Sequence, residues 1–169
     1  MEIRDGVLKL KIEIMGHKAA FQRLENNPAN TGIILIADDV LDIQNTILDD
    51  WENKKILFFR DITDASGYKA MTAAQAAEIK DFVLSIKDSV ETLIISCHAG
   101  ISRSPAVAAG LLAGSGKSDM HIWRNPQYSP NILCYKRMLR AFNKPALLAG
   151  MKKRISEQSL EKATRRTPR

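Results

Sequence analysis

Three short, largely apolar runs, residues 32–37, 55–59 and 92–96, constrain this chain more than any other feature. Each is too short for a core helix, and none shows the alternation of a strand with one wet face. They read as strands buried on both sides, as in a parallel sheet. Ahead of them, Leu8, Leu10, Ile12 and Ile14 alternate with Lys9, Lys11 and Glu13 and predict a half-buried strand. Parallel strands need crossovers, and helical patterns fill the intervals. Thr72 and Gln75 have the form of a capping box, followed by Ile79, Phe82, Val83, Ile86 and Val90 at helical spacing. Residues 105–113 are apolar all round and predict a buried helix that stops near Gly114 or Gly116. Asn131 is placed to cap a helix bearing Ile132, Tyr135, Leu139 and Phe142. Pro145 suits the first turn of a last helix with Leu148, Met151 and Ile155. Strands alternating with helices predict a single α/β domain, with a mostly parallel central sheet of four to five strands flanked by helices.

A chain of 169 residues can bury a core without staples, and no repeat or linker divides it. The domain is expected over residues 1–150, with 151–169 as a basic helix end or tail. The net charge of +6 invites a nucleic-acid reading, but residues 152–169 hold seven Lys and Arg against Glu157 and Glu161, +5 of the total. That run reads as a solvated end, and it lacks the interleaved aromatics that stack single strands, so nucleic acid is not an expected partner. Cys97 and Cys134 cannot build a disulfide framework. With no secretory leader pattern and no apolar run long enough for a bilayer, the expectation is a cytoplasmic protein with free thiols. Cys134 reads as a small buried hydrophobe. His17 and His121 have no partners in sequence, no Cys/His cluster shows ligand spacing, and neither metal nor cofactor is expected.

Cys97 has a different setting. It follows an apolar run and stands six positions before Arg103, with Ser104 and Pro105 opening a helix. The intervening His98, Ala99, Gly100, Ile101 and Ser102 can turn their main-chain N–H groups inward as a phosphate-binding nest on the positive end of that helix. Gly100 permits the backbone angles of a tight loop and leaves room for a phosphate oxygen. The thiolate is the nucleophilic form of cysteine, and a helix start beside an arginine favours it. Cys97 can then attack phosphorus and form a phosphocysteine. The planar guanidinium of Arg103 can hold two phosphoryl oxygens at once. Ser104 can donate to the sulfur as it leaves.

The octapeptide Cys97-His98-Ala99-Gly100-Ile101-Ser102-Arg103-Ser104 resembles the phosphate-binding loop of the protein tyrosine phosphatase superfamily, particularly its compact dual-specificity-like branch. Upstream, Phe58-Phe59-Arg60-Asp61-Ile62 resembles the strand end where that family keeps its general acid. Downstream, Tyr128-Ser129-Pro130-Asn131 is similar to a segment of predicted bacterial tyrosine phosphatases. The resemblance covers residues 31–145. It implies metal-independent hydrolysis of phosphate monoesters, with phosphotyrosine or dual-specificity protein substrates, through a phosphocysteine. It also implies Asp61 as the general acid, with Asp64 in the same loop as the alternative. One departure is Ser96, where the family usually has a histidine bracing the loop; the serine hydroxyl is expected to supply a hydrogen bond instead. His98 reads as a rim residue, and Asn131 either caps its helix or borders the site mouth.

Related chemistries separate by order: low-molecular-weight tyrosine phosphatases carry the loop before the acid, and rhodaneses lack the Arg-Ser ending. The sequence is also compatible with two other readings. One is a module that binds phosphate without turning it over; the other is an RNA or small-molecule phosphatase using the basic tail. Intact Cys97, Arg103, Ser104 and Asp61 favour an enzyme.

Overall fold

A computed structural model describes residues 8–26, 28–43 and 48–166. Four strands, β1 (Lys11–Gly16), β2 (Thr31–Ala37), β3 (Lys54–Phe58) and β4 (Thr92–Cys97), form one all-parallel sheet in the order β1-β4-β2-β3. The helices are α1 (His17–Glu25), α2 (Ala73–Ile86), α3 (Arg103–Gly114), α4 (Met120–Arg124), α5 (Ile132–Ala141) and α6 (Met151–Arg166). The predicted α/β architecture is present, with four strands. Among the described residues no helix is long and apolar enough to cross a membrane.

Alternate side chains of the central strands serve two layers, as the two-residue period requires. Ile33, Leu35 and Ile94 pack with Ala20 and Leu24 of α1. Ile34, Ile36, Leu93, Ile95 and Cys97 face the larger cluster built by α2, α3, α4 and α5. Helix α3 is buried throughout and lies so close to α5 that a Cβ on Gly110 would stand 2.3 Å from Met138 Cβ. The capping box of α2 forms as expected: Gln75 N–H donates to Thr72 Oγ1 at 3.1 Å and Thr72 N–H to Gln75 Oε1 at 2.9 Å. Gln75 Nε2 also donates to the Phe58 carbonyl, tying the start of α2 to the end of β3.

Three boundaries differ from expectation. Leu8 and Leu10 are buried but precede β1, because the ladder starts only where Lys11 meets Thr92, the first residue of β4. Val90 is buried beyond the end of α2, on a turn where its N–H and that of Ser89 both bond to the Ile86 carbonyl. Pro145 opens a separate 3-10 helix, Pro145–Gly150, and α6 begins after it.

Arg154, expected in a solvated run, instead docks on the domain. Its Nε and Nη2 both lie 3.0 Å from carboxylate oxygens of buried Asp119, which also accepts from Trp123 Nε1 (3.0 Å) and Tyr135 Oη (2.7 Å). Burial pushes the Asp119 carboxyl upward, yet the hydrogen bonds from Arg154, Tyr135 and Trp123 outweigh it and hold it below the usual aspartate range. Removing Arg154 leaves a buried charge with two neutral donors. Arg154→Ala is therefore expected to lower stability by about 2–3 kcal/mol, short of the penalty for a wholly unpaired buried ion, and Tm by about 5–10 °C. The depressed native value means this stabilisation is present above the unfolded aspartate pKa and fades as pH falls through the native one. Urea unfolding at neutral and acid pH checks it: the gap between the two proteins should narrow in acid, and a neutral-pH gap below about 0.5 kcal/mol would refute the assignment.

Candidate active site

Parallel strands end on one edge of a sheet, where ligand sites of α/β folds gather. Cys97, the last residue of β4, pairs with Gly16 on one side and Ile36 on the other. The segments leaving all four strands thus converge: His17 after β1, Asp38 after β2, Asp61 after β3 and the loop 98–102 after β4.

Cys97 is 3% exposed and sits at the base of this loop. Its Sγ lies 3.1 Å from Ser104 Oγ and 3.5 Å from the Ser104 main-chain N–H, in the first turn of α3. Carbonyls of the loop are committed to neighbours: His98 accepts from His17 N–H, Ile101 from Ser129 N–H, and Ser102 from Asn131 and Ala106 N–H. Among the described residues, the N–H groups of residues 98–102 find no protein acceptor. Gly100 has φ +73°, and a Cβ there would stand 2.5 Å from the Met15 carbonyl carbon and 2.6 Å from Gly16 N. Only glycine lets the loop lie this close to β1 in that conformation.

Arg103 is 5% exposed. Its Nη1 donates to Asp38 Oδ1 at 2.6 Å and to the Phe59 carbonyl at 2.7 Å, while the buried Nε has no hydrogen-bond partner. Asp61 is exposed, and its Oδ1 accepts from Ser102 Oγ (2.8 Å) and Asn131 Nδ2 (2.6 Å). Asn131 meets both readings: its Oδ1 accepts the Cys134 N–H to cap α5, and its Nδ2 holds Asp61 and the Ile62 carbonyl. Asp64 stays apart and binds Ser66. The Ser66 main-chain and side-chain donors keep that exposed carboxyl below its ordinary value.

Ala99 and His98 are exposed on the loop, and Ile101 is 47% exposed at its rim. The Ser96 hydroxyl does not brace the loop as expected. It is buried without a partner, because its side chain points into the sheet layer rather than along the loop. Burial pushes the Cys134 thiol far up, with the nearby charges of Asp61 and Cys97 adding to it, so Cys134 stays a neutral packing group. Asp38 and His17 escaped the sequence reading. A carboxylate directly after a buried run was a usable signal for Asp38. Nothing local marks His17. Among the described residues no cluster of His, Cys, Asp and Glu is placed to hold a metal ion.

The backbone is similar to those of phosphatases of known structure. PTPMT1 matches with a TM-score of 0.57 at 16% identity, over 83% of this chain and 95% of that one. The PTP-2 phosphatase of Cydia pomonella matches with 0.55 at 18%, over 78% and 83%. DUSP15 matches with 0.52 at 15%, over 96% of each chain. No protein-family model and no curated protein matches in sequence. The chain shares the fold of these phosphatases.

Proposed function

We propose that this chain is a metal-independent cysteine phosphatase acting on phosphate monoesters, of the phosphotyrosine or dual-specificity type, through a phosphocysteine. One observation carries the reading. Between Cys97 and α3, the N–H groups of residues 98–102 have no protein acceptor, Arg103 keeps an unpartnered Nε, and the Cys97 sulfur lies beside the Ser104 hydroxyl and main-chain N–H. Oriented donors of this kind suit a dianion and the charge that develops during transfer.

The Cys97 thiolate attacks phosphorus, an S–P bond forms, and the P–O bond to the leaving group breaks with its electron pair on oxygen. Asp61 gives that oxygen a proton. Both hydrogen bonds to Asp61 fall on Oδ1, so the transferable proton belongs on Oδ2. Water then attacks phosphorus, Asp61 takes its proton, and the sulfur leaves as thiolate, aided by Ser104. The exposed Ile101 offers an apolar contact for an aromatic leaving group. Two free thiols suit a reducing compartment, which supports a cytoplasmic location.

Hydrolysis of p-nitrophenyl phosphate in the presence of a chelator, with phosphotyrosine and phosphoserine peptides alongside, tests the reading. Turnover blocked by vanadate is expected. Phosphate binding without turnover would make the chain a phosphate reader instead. The acid is tested separately: Asp61→Ala should slow alkyl phosphates by about 10²–10³-fold and activated aryl phosphates much less. Asp64→Ala should leave both rates within about twofold, given its separation from the loop; the reverse pattern would move the role to Asp64.

A further inference from the structure

His17 sits where no local pattern announces it, and its contacts are unusual for a first helical residue. Its main-chain N–H donates to the His98 carbonyl at 3.3 Å. Its ring Nε2 lies 3.0 Å from the Ile36 carbonyl; since a carbonyl only accepts, Nε2 carries the proton. Ile36 is the β2 residue paired with Cys97, and His98 is the next residue after it. In a sheet ordered β1-β4-β2, His17 therefore leaves β1, passes the end of β4 and grips β2, with the start of the phosphate loop held between. The residue is 8% exposed, and its ring meets those of Phe21 and His98, each at 6.1 Å. Burial pushes its pKa down; the Ile36 carbonyl opposes this, and the charges of His98 and Arg103 lower it further while Asp42 raises it. A neutral ring fixed in one tautomer results.

We infer that His17 is a positioning residue for phosphate capture: by clamping the Ile36 and His98 carbonyls on either side of Cys97, it sets the first turn of the loop. The buried Ser96 hydroxyl has no partner of its own, so it does not share this task with His17. The inference rests on the phosphatase reading for its rate consequences but not for its binding consequences. A loop whose first turn drifts by a fraction of an ångström misplaces both the nest and the sulfur.

The test compares wild type, His17→Phe and His17→Gln. Phenylalanine fills the space without a donor; glutamine restores an N–H near the position of Nε2. His17→Phe should lose about tenfold or more in kcat/KM for p-nitrophenyl phosphate and a similar factor in inorganic phosphate affinity, and His17→Gln should recover most of both. In Cys97→Ser protein, which binds without turnover, the His17 Nε2–H resonance should shift on phosphate titration together with the loop amides. The inference is overturned if His17→Phe stays within twofold of wild type, if glutamine rescues nothing, or if that resonance stays still while loop amides move. Should His17→Phe not fold, the glutamine variant and the resonance decide alone. Wild type that binds phosphate but turns nothing over would defeat the phosphatase reading while the affinity ratios still judge His17; wild type that does neither defeats both.

Discussion

Cys97→Ser is expected to reduce turnover by on the order of 10⁴–10⁶-fold while phosphate binding survives. A serine hydroxyl at this position is far less acidic than a thiol, so the nucleophile would have to attack as a neutral group. The proposed binding groups are elsewhere: the loop N–H donors and Arg103 do not depend on the sulfur. In the proposed reaction a negative sulfur would repel a dianion, so its removal should leave phosphate affinity equal or higher. The fold should be preserved as well, because the introduced hydroxyl would lie in reach of Ser104, which now approaches the Cys97 sulfur to 3.1 Å. Steady-state rates, calorimetric phosphate titration and thermal unfolding on one preparation separate these effects. Residual activity above about 1% of wild type would show that another group attacks phosphorus.

The architecture was legible because the two central strands, β2 and β4, are buried on both faces, whereas β3, read as equally buried, lies at the sheet edge and leaves Phe58 38% exposed. Ile33 to Ile36 and Leu93 to Ile95 are fully enclosed, and sequences for such positions carry no polar alternation to confuse with an exposed sheet. Boundaries were less legible because they belong to pairs of elements. Where β1 begins is decided by Thr92 across the ladder, and nothing near Leu8 encodes that. The same holds for the C-terminal end. Arg154 looks like one basic residue among many until Asp119, 35 positions earlier, is brought beside it.

The site divides in the same way. Cys97 to Ser104 is one contiguous turn, so its members could be picked out from the sequence alone. Its supports are remote: Asp38 is 65 residues from Arg103, Asn131 is 70 from Asp61, and His17 is 19 from Ile36. The Asp38 and His17 contacts exist because parallel strands end on a common edge, and Asn131 reaches Asp61 because the start of α5 is held against the loop by its N–H bond to the Ser102 carbonyl; both are properties of the folded domain rather than of any segment. Ser96 shows the opposite error. Its residue type suggested a hydrogen bond, but alternation along β4 turns it away from the loop.

Arg103→Lys is expected to lower kcat on the order of 10³-fold with a smaller change in KM. The guanidinium is divided: Nη1 is anchored to Asp38 and the Phe59 carbonyl, and Nε has no hydrogen-bond partner in the protein. One ammonium cannot do both. If Lys keeps the anchor to Asp38 it lies too far back to grip phosphoryl oxygens, and if it reaches for phosphate it abandons the ends of β2 and β3. The planar, bidentate contact suits the transition state, where charge spreads over the equatorial oxygens, so its loss should fall mainly on kcat. The fold should survive, since a lysine can still pair with the half-exposed Asp38 from the buried position of Arg103, at the cost of one of its two present acceptors. Initial rates across a range of p-nitrophenyl phosphate concentrations, with circular dichroism as a control, give the split. A rise in KM with kcat unchanged would make Arg103 a binding group only, and near-normal kinetics would leave Nη1 and its two acceptors as a purely structural fastening between α3 and the sheet.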